Sequence, residues 1–272
     1  MKPPGIAIAT INGSSRVYNF LESIRAAGDE YSDLILVDDG STERELTVLR
    51  ELCRYYKIEF REHRRNQGIA ASWNHGMAYL KERGCELGVV CNDDIVVTKG
   101  WLEAIRTFHE LNPVVAMVGL HATINGALQC TDNGIKKFEG DVDFSVPHRG
   151  ICSNGFCFGL SVGMWERAGF FNETYLSYYE ETDFGARASE GGCFSYNIPW
   201  PVIQHEWGTT MRENPNLLAS IRMQKSRENF VSIWKKDISA LYSDLVTPFP
   251  KMEMSWVTAN GIQRGYPIDV VR

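Results

Sequence analysis

Nothing in the 272-residue chain comes near the ~18 consecutive apolar residues of a membrane-spanning helix. Met1-Lys2-Pro3-Pro4 leads straight into a short apolar strand rather than a secretory leader. The seven cysteines (53, 85, 91, 130, 152, 157, 193) contain no Cys-x-x-Cys spacing. An odd count without that spacing argues against a zinc site or a disulfide framework and fits reduced thiols. Cys91 and Cys193, in apolar surroundings, read as small core residues. Positive charge is not in excess: 28 Lys and Arg against 34 Asp and Glu give a net charge of −6. That balance argues against non-specific nucleic-acid binding as the main role. No G-x-G-x-x-G follows the first strand, so a dinucleotide fingerprint is missing. The expected location is cytoplasmic, and attachment to a membrane surface would be peripheral.

What is present is alternation. Gly5–Thr10 reads as a strand, and Val17, Phe20, Leu21 and Ile24 follow at helical spacing up to Gly28. A second buried strand, Leu34–Val37, ends in Asp38-Asp39-Gly40-Ser41, and a helix from about Thr42 to Tyr55 follows. Ile58–Phe60 is a short third strand. Arg64-Arg65-Asn66-Gln67-Gly68 opens a helix over 69–81 that Gly84 closes. The stretch Leu87–Val97 then carries Asn92-Asp93-Asp94 in its middle, followed by a helix over 99–111 and a strand over 114–118. Strand and helix in turn predict a parallel sheet covered by helices. Acids leaving such strands arrive at the carboxyl edge, where open α/β sheets bind ligands.

From Gly119 the pattern changes. Asn125-Gly126 and Asn133-Gly134 suggest hairpins. A short helix from a Ser161 cap, a helix over 175–189, strands over 193–198 and 202–204, and a long basic helix from Asn214-Pro215 to about Trp234 follow. The tail beyond 237 shows no clear periodicity.

Val37-Asp38-Asp39-Gly40-Ser41, Asn66-Gln67-Gly68 with Asn74, Asn92-Asp93-Asp94, and Tyr179-Glu180-Glu181-Thr182-Asp183 with His205 occur in that order. The set resembles the family 2 glycosyltransferases of GT-A fold, especially rhamnosyltransferase-like members, over roughly residues 5–236. The family's usual Glu-Asp stands here as Glu180-Glu181. The resemblance implies an α/β, Rossmann-like GT-A fold: a mixed, mainly parallel sheet flanked by helices. Residues 1–236 would form one domain, with a nucleotide-binding half (1–118) and an acceptor-binding half (119–236). Residues 237–272 would be a helical extension of unassigned role.

The expected activity is metal-dependent, inverting transfer of a sugar from a UDP- or dTDP-linked donor to a hydroxyl of a carbohydrate acceptor, as in polysaccharide biosynthesis. A carboxylate accepts hydrogen bonds from a pyrimidine N3–H and ribose hydroxyls, which suits Asp39 with Asp38 nearby; the family likeness adds Thr10 and Asn12. Alone, Asp38-Asp39-Gly40-Ser41 would read as a turn and helix cap; the other motifs favour the nucleoside role. Asn66 and Gly68 would bring loop backbone to the nucleotide, with Arg65 or Arg64 balancing phosphate charge and Asn74 reaching back to the acids. Asp94, beside Asn92 and Asp93, would hold Mn²⁺ or Mg²⁺, and the resemblance adds His205 as a ligand. Glu181 is the expected general base and Asp183 the second candidate, since one member of an acidic cluster is pushed up by its neighbours. Glu180, Tyr178 and Trp207 are acceptor-side candidates, with Trp165 and Tyr175 as further stacking residues. A nucleotidyltransferase is the first rival, but residues 10–16 lack its Gly- and Lys/Arg-rich loop. A non-catalytic nucleotide- or carbohydrate-binding module is the second.

Overall fold

Side chains of the first strand, β1 (Gly5–Thr10), divide strictly by parity: Ile6 and Ile8 enter one hydrophobic cluster, Ala7 and Ala9 another. A strand alternates its side chains between two faces, so β1 is covered on both. The computed structural model that shows this describes residues 1–112, 114–124, 127–129, 143, 145–206, 208–213 and 219–270.

Helix α1 (Ser14–Ala27) leads to β2 (Leu34–Asp38), α2 (Glu43–Tyr56) to β3 (Glu59–Glu62), and α3 (Ile69–Glu82) to β4 (Leu87–Asn92). Next come β5 (Ile95–Val96), α4 (Trp101–Leu111), β6 (Val115–Ile124), β7 (Ala127–Gln129), β8 (His148–Gly150) and β9 (Cys157–Ser161). The chain continues through α5 (Val162–Arg167), α6 (Glu180–Glu190), β10 (Phe194–His205), α7 (Thr209–Glu213), α8 (Ala219–Trp234) and α9 (Ile238–Leu245). It closes with β11 (Met254–Thr258), β12 (Gly261–Gly265) and β13 (Ile268–Asp269). The main sheet has the order β13-β8-β10-β6-β9-β4-β1-β2-β3. β1, β2, β3, β4, β6 and β10 all run the same way, and β9 runs against them between β4 and β6. The ends of β1, β2, β4 and β10 therefore meet at one edge. Helices α1, α2 and α4 cover one face, through Phe20, Leu49 and Phe108; α3 and α6 cover the other, through Trp73, Met77 and Phe184.

Several boundaries depart from the sequence reading. The stretch 87–97 is two strands, because Asp93-Asp94 leaves the ladder after β4 and the chain re-enters as β5 against β10. The strand expected at 114–118 continues to Ile124 as β6, so residue 118 lies inside an element rather than between two halves. The expected strands 193–198 and 202–204 are one strand, β10, whose register against β6 shifts between Ile198 and Ile203. The helix expected from Tyr175 begins only at Glu180. Antiparallel pairing of Ile124 with Ala127 brackets the expected Asn125-Gly126 turn. That turn itself, Asn133-Gly134, Cys130 and the Asn214-Pro215 start lie outside the described residues.

The C-terminal segment is helix followed by strands, not a helical extension alone. Trp256 of β11 shares the core of Phe108, β13 extends the main sheet beside β8, and buried Arg149 of β8 is paired with Asp269 of β13 (Nε–Oδ1 2.8 Å). All described cysteines are free thiols. Cys91 is fully buried, 3.7 Å from Cys157 across β4 and β9, whereas Cys193 is only half-buried.

Helix α6 sits close because Gly185 has no side chain: a Cβ there would stand 1.9 Å from the Ile151 carbonyl oxygen. Backbone cannot yield as a flexible side chain can. Gly185→Ala should therefore lower stability by about 1–3 kcal/mol, as overpacking does. Gly163→Ala in α5 meets nothing within 4 Å and should be neutral or stabilise by up to about 1 kcal/mol. Urea midpoints of the two variants check the contrast.

Candidate active site

Four strand ends and the start of α6 enclose one cavity. β1 contributes Thr10, the β2 turn Asp39, the β4 turn Asn92, Asp93 and Asp94, and β10 His205; α6 and the turn before it contribute Tyr178, Glu180 and Glu181. Asn66 and Gly68 complete the wall beside Asp39.

Asp38 and Asp39 divide the labour at the β2 turn. Asp38, with no exposed surface, accepts the backbone N–H groups of Gly40 and Ser41 at 3.0 Å each and the Ser41 hydroxyl. It is a turn-former outside the cavity lining, and burial raises its pKa. Asp39 holds the following loop: its oxygens accept from Gln67 N (2.7 Å), Gly68 N (2.9 Å) and Asn66 Nδ2 (2.7 Å) and lie 3.0 Å from His63 Nδ1. A carboxylate has about four acceptor directions, so a base N–H at this carboxylate would exchange with the His63 or Asn66 contact. Asn12 accepts from Thr42 N (2.8 Å) while its own N–H donates to Ser41 Oγ (2.7 Å). It ties the β1 and β2 loops together outside the cavity lining.

The β4 turn separates its acids in the same way. Asp93 is 3% exposed and receives the Thr10 hydroxyl (2.5 Å) and the Arg16 guanidinium. Burial pushes its pKa up to about 6 against the pull of Arg16, and the Asp94 charge adds to the rise. Asp94 faces His205 instead. Pairing of Ile95 with His205 between β5 and β10, and the Glu206 N–H on the Asp94 carbonyl (2.8 Å), fix the two segments side by side. The Asp94 Oδ1–His205 Nε2 distance is 3.5 Å, too long for a hydrogen bond. Phe156 stacks on the imidazole at 4.1 Å and sets its plane. Asp94 Oδ1 and His205 Nδ1 are buried atoms without a hydrogen-bond partner, a costly arrangement for a finished core. Two ligands of one octahedral cation, each at about 2.1 Å, stand about 3 Å apart. Carboxylate oxygen and imidazole nitrogen at this separation thus suit a divalent ion. Among the described residues no cluster of three or more His, Cys, Asp or Glu has metal-binding geometry, so such an ion would draw its other ligands from water or substrate.

At α6, Glu180 and Glu181 face the cavity, and the Thr182 hydroxyl donates to Glu181 Oε1 (3.0 Å). Tyr178 (φ 70°) and Tyr179 (φ 74°) both take the left-handed conformation just before the helix, at a cost on the order of 1–3 kcal/mol each. Asp183 points elsewhere. It accepts from Arg187 Nε (2.9 Å), Trp234 Nε1 (2.9 Å) and the Tyr175 hydroxyl (3.3 Å). As a tie between α6 and α8 it is removed as a base candidate.

Three further expectations are corrected. Asn74 does not reach the acids; it clamps the loop after α5, donating to the Phe171 carbonyl and Glu173 and accepting from Trp165 Nε1 and Phe171 N. Arg65 is exposed and outside the cavity lining. Trp165 and Tyr175 are core residues, 5% and 0% exposed. Trp207 lies outside the described residues. Conversely Arg222, on the long basic helix α8, lines the cavity and donates to Asn66 Oδ1 (2.8 Å).

Solved structures of GT-A transferases bear out the fold. GalNAc-T7 with UDP, GalNAc and Mn²⁺ has a TM-score of 0.62 at 13% identity, over 88% of this chain and 54% of that one. The mannosyltransferase PcManGT of Pyrobaculum calidifontis, in complex with GDP-Man and Mn²⁺, has a TM-score of 0.61 at 13% identity, over 85% and 64%. The glycosyl transferase family 2 model matches residues 5–160, more than half of the chain, and the chain belongs to that family. The low-salt glycan biosynthesis hexosyltransferase of Haloferax volcanii is 26% identical over 171 residues, 58% of this chain and 53% of that protein. The chain thus spans about half the length of the hexosyltransferase and of GalNAc-T7. Among the described residues no helix is long and apolar enough to cross a membrane.

Replacing Asp39 by Asn turns an acceptor into a donor facing two backbone N–H groups. Asp39→Asn should cost about 2 kcal/mol, the range of hydrogen bonds to a charged group, and should loosen the loop at 63–68. Urea unfolding together with amide exchange of Gln67 and Gly68 measures both effects.

Proposed function

We propose that this protein is an inverting glycosyltransferase that moves a sugar from a UDP- or dTDP-linked donor to a hydroxyl of a carbohydrate acceptor with the aid of Mn²⁺ or Mg²⁺. The observation that carries the reading is the pairing of Asp94 with His205 at 3.5 Å in the cavity that Asp39 and Glu181 also line. Asp94 and His205 would hold the cation, which as a Lewis acid neutralises charge on the departing diphosphate; an imidazole ligand favours Mn²⁺. The nucleoside would lie against Asp39, Asn66 and Gly68. Charge supports this assignment. The cavity wall carries Asp39, Asp93, Asp94, Glu180 and Glu181 against Arg222 as the one Lys or Arg among the described lining residues. A diphosphate could not settle there without further positive charge.

Glu181 is the proposed base, taking the proton from the acceptor hydroxyl as that oxygen attacks the anomeric carbon. Its 7% exposure against 1% for Glu180 leaves it the more accessible of the two. The Thr182 hydroxyl keeps its carboxylate oriented, and Tyr178 would border the acceptor.

Incubation with UDP- and dTDP-sugars and a panel of glycan acceptors should release free nucleoside diphosphate in the presence of Mn²⁺. Glu181→Gln should lower kcat by about 10²–10⁴-fold, the worth of a general base. Asp94→Ala should lower turnover by about 10²-fold or more, matching several kcal/mol of lost charge stabilisation. Both variants should keep the far-UV spectrum. Pyrophosphate release from nucleoside triphosphates, or unchanged turnover in either variant, would overturn the reading.

A further inference from the structure

We propose that Arg16 is the positioning residue of the cation site, fixing Asp94 and His205 relative to each other without touching the cation. The inference rests on the proposed metal-dependent reading and concerns a side chain outside the sequence motifs that suggested it.

Arg16 occupies an unusual position for a cation. It lies in the first turn of α1 with only 5% of its surface exposed, although α1 otherwise buries Val17, Phe20, Leu21 and Ile24. Each guanidinium nitrogen has a partner. Nε donates to Asp93 Oδ1 at 3.1 Å and Nη2 to Asp93 Oδ2 at 3.2 Å, a two-pronged grip on one carboxylate. Nη2 also donates to the Ile11 carbonyl (3.2 Å), and Nη1 meets Glu213 of α7. The main chain is shaped around this cluster. A Cβ on Gly13 would stand 2.0 Å from Asp93 Oδ2 and 2.6 Å from Arg16 Nη2. Gly13 has an ordinary φ of −126°, so space rather than conformation calls for glycine there.

Two consequences follow for the cation. Asp93 and Asp94 are adjacent buried carboxylates and would otherwise compete as ligands. With both Asp93 oxygens engaged by Arg16, and Oδ2 also by Thr10, Asp94 is the acid turned toward His205. Arg16 also reaches both ligand-bearing segments. It holds the Asp94 turn through Asp93, and through Glu213 it holds the short helix that starts four residues after His205. Partners one shell out from a metal commonly set its affinity in this way. A lysine would keep the charge, but as a point donor it cannot grip both carboxylate oxygens.

The test is Mn²⁺ binding to the full chain, followed by the loss of the free-ion electron paramagnetic resonance signal, with saturating UDP and again with dTDP. Arg16→Met and Arg16→Lys should each weaken Mn²⁺ binding by about 10–100-fold, and Glu213→Gln by several-fold. The affinity of Arg16→Lys separates geometry from charge, since a purely electrostatic role would be rescued by lysine. Mn²⁺ affinity unchanged or tighter in Arg16→Lys and Glu213→Gln would overturn the proposal, whether or not Arg16→Met folds. If the unsubstituted protein binds no Mn²⁺ with either nucleotide, the metal-dependent reading falls first and takes this one with it.

Discussion

A carboxylate withdrawn from water must be answered by donors or by a cation, and the carboxyl edge of this sheet is built around that requirement. Buried parallel strands deliver Asp38, Asp39, Asp93 and Asp94 to positions no more than 8% exposed. Asp38 is answered by its own turn, Asp39 by the next loop, and Asp93 by Arg16 and Thr10. Asp94 alone among the four is left facing an imidazole across a gap wider than a hydrogen bond. The first three acids thus use their charge to shape the walls that surround the fourth. Desolvation drives the whole arrangement, because the same side chains in water would need no such partners.

The fold was readable where burial made the pattern regular. β1 matches its expected span, and α1 stops at Gly28, which takes the left-handed conformation expected of a helix C-cap. The short α5 carries its expected Ser161 cap, whose hydroxyl oxygen accepts from Met164 N (3.1 Å). Reading failed where tertiary contacts overrode local signals. β10 was read as two strands, and its ladder with β6 is interrupted between Ile198 and Ile203, where Pro199 and Pro201 stand; pairing with β6 on either side of that break joins the two runs into one strand. The tail shows no clear period because its elements are short: β11 and β12, five residues each, form a hairpin with each other, and β13 is a two-residue strand added to distant β8.

At the site, the acids singled out from sequence gather at one cavity, but sequence order could not tell which of two candidates would face it. Asp38 and Asp39, like Glu181 and Asp183, differ in the direction of a side chain, and direction depends on partners far along the chain. Trp234 draws Asp183 away from a distance of 51 residues. Asn74 was assigned to the acids because it follows Asn66-Gln67-Gly68, whereas its helix face looks toward Phe171 and Trp165. Arg16 left one usable trace, a charged residue in the apolar pattern of α1 beside a strand-end loop. Phe156, the platform under His205, left none.

The pairing of Arg149 with Asp269 also bears on how the chain is made. Synthesis runs from the N-terminus, so β8 emerges long before the acid that neutralises its guanidinium. Until β13 has left the ribosome, a cation destined for the interior has no native counter-charge and the outer edge of the sheet stays open. A chain cut short before β13 would lack the acid that answers Arg149 and leave this far edge unsealed, a lesion that surveillance by chaperones and proteases can detect without testing the cavity at all.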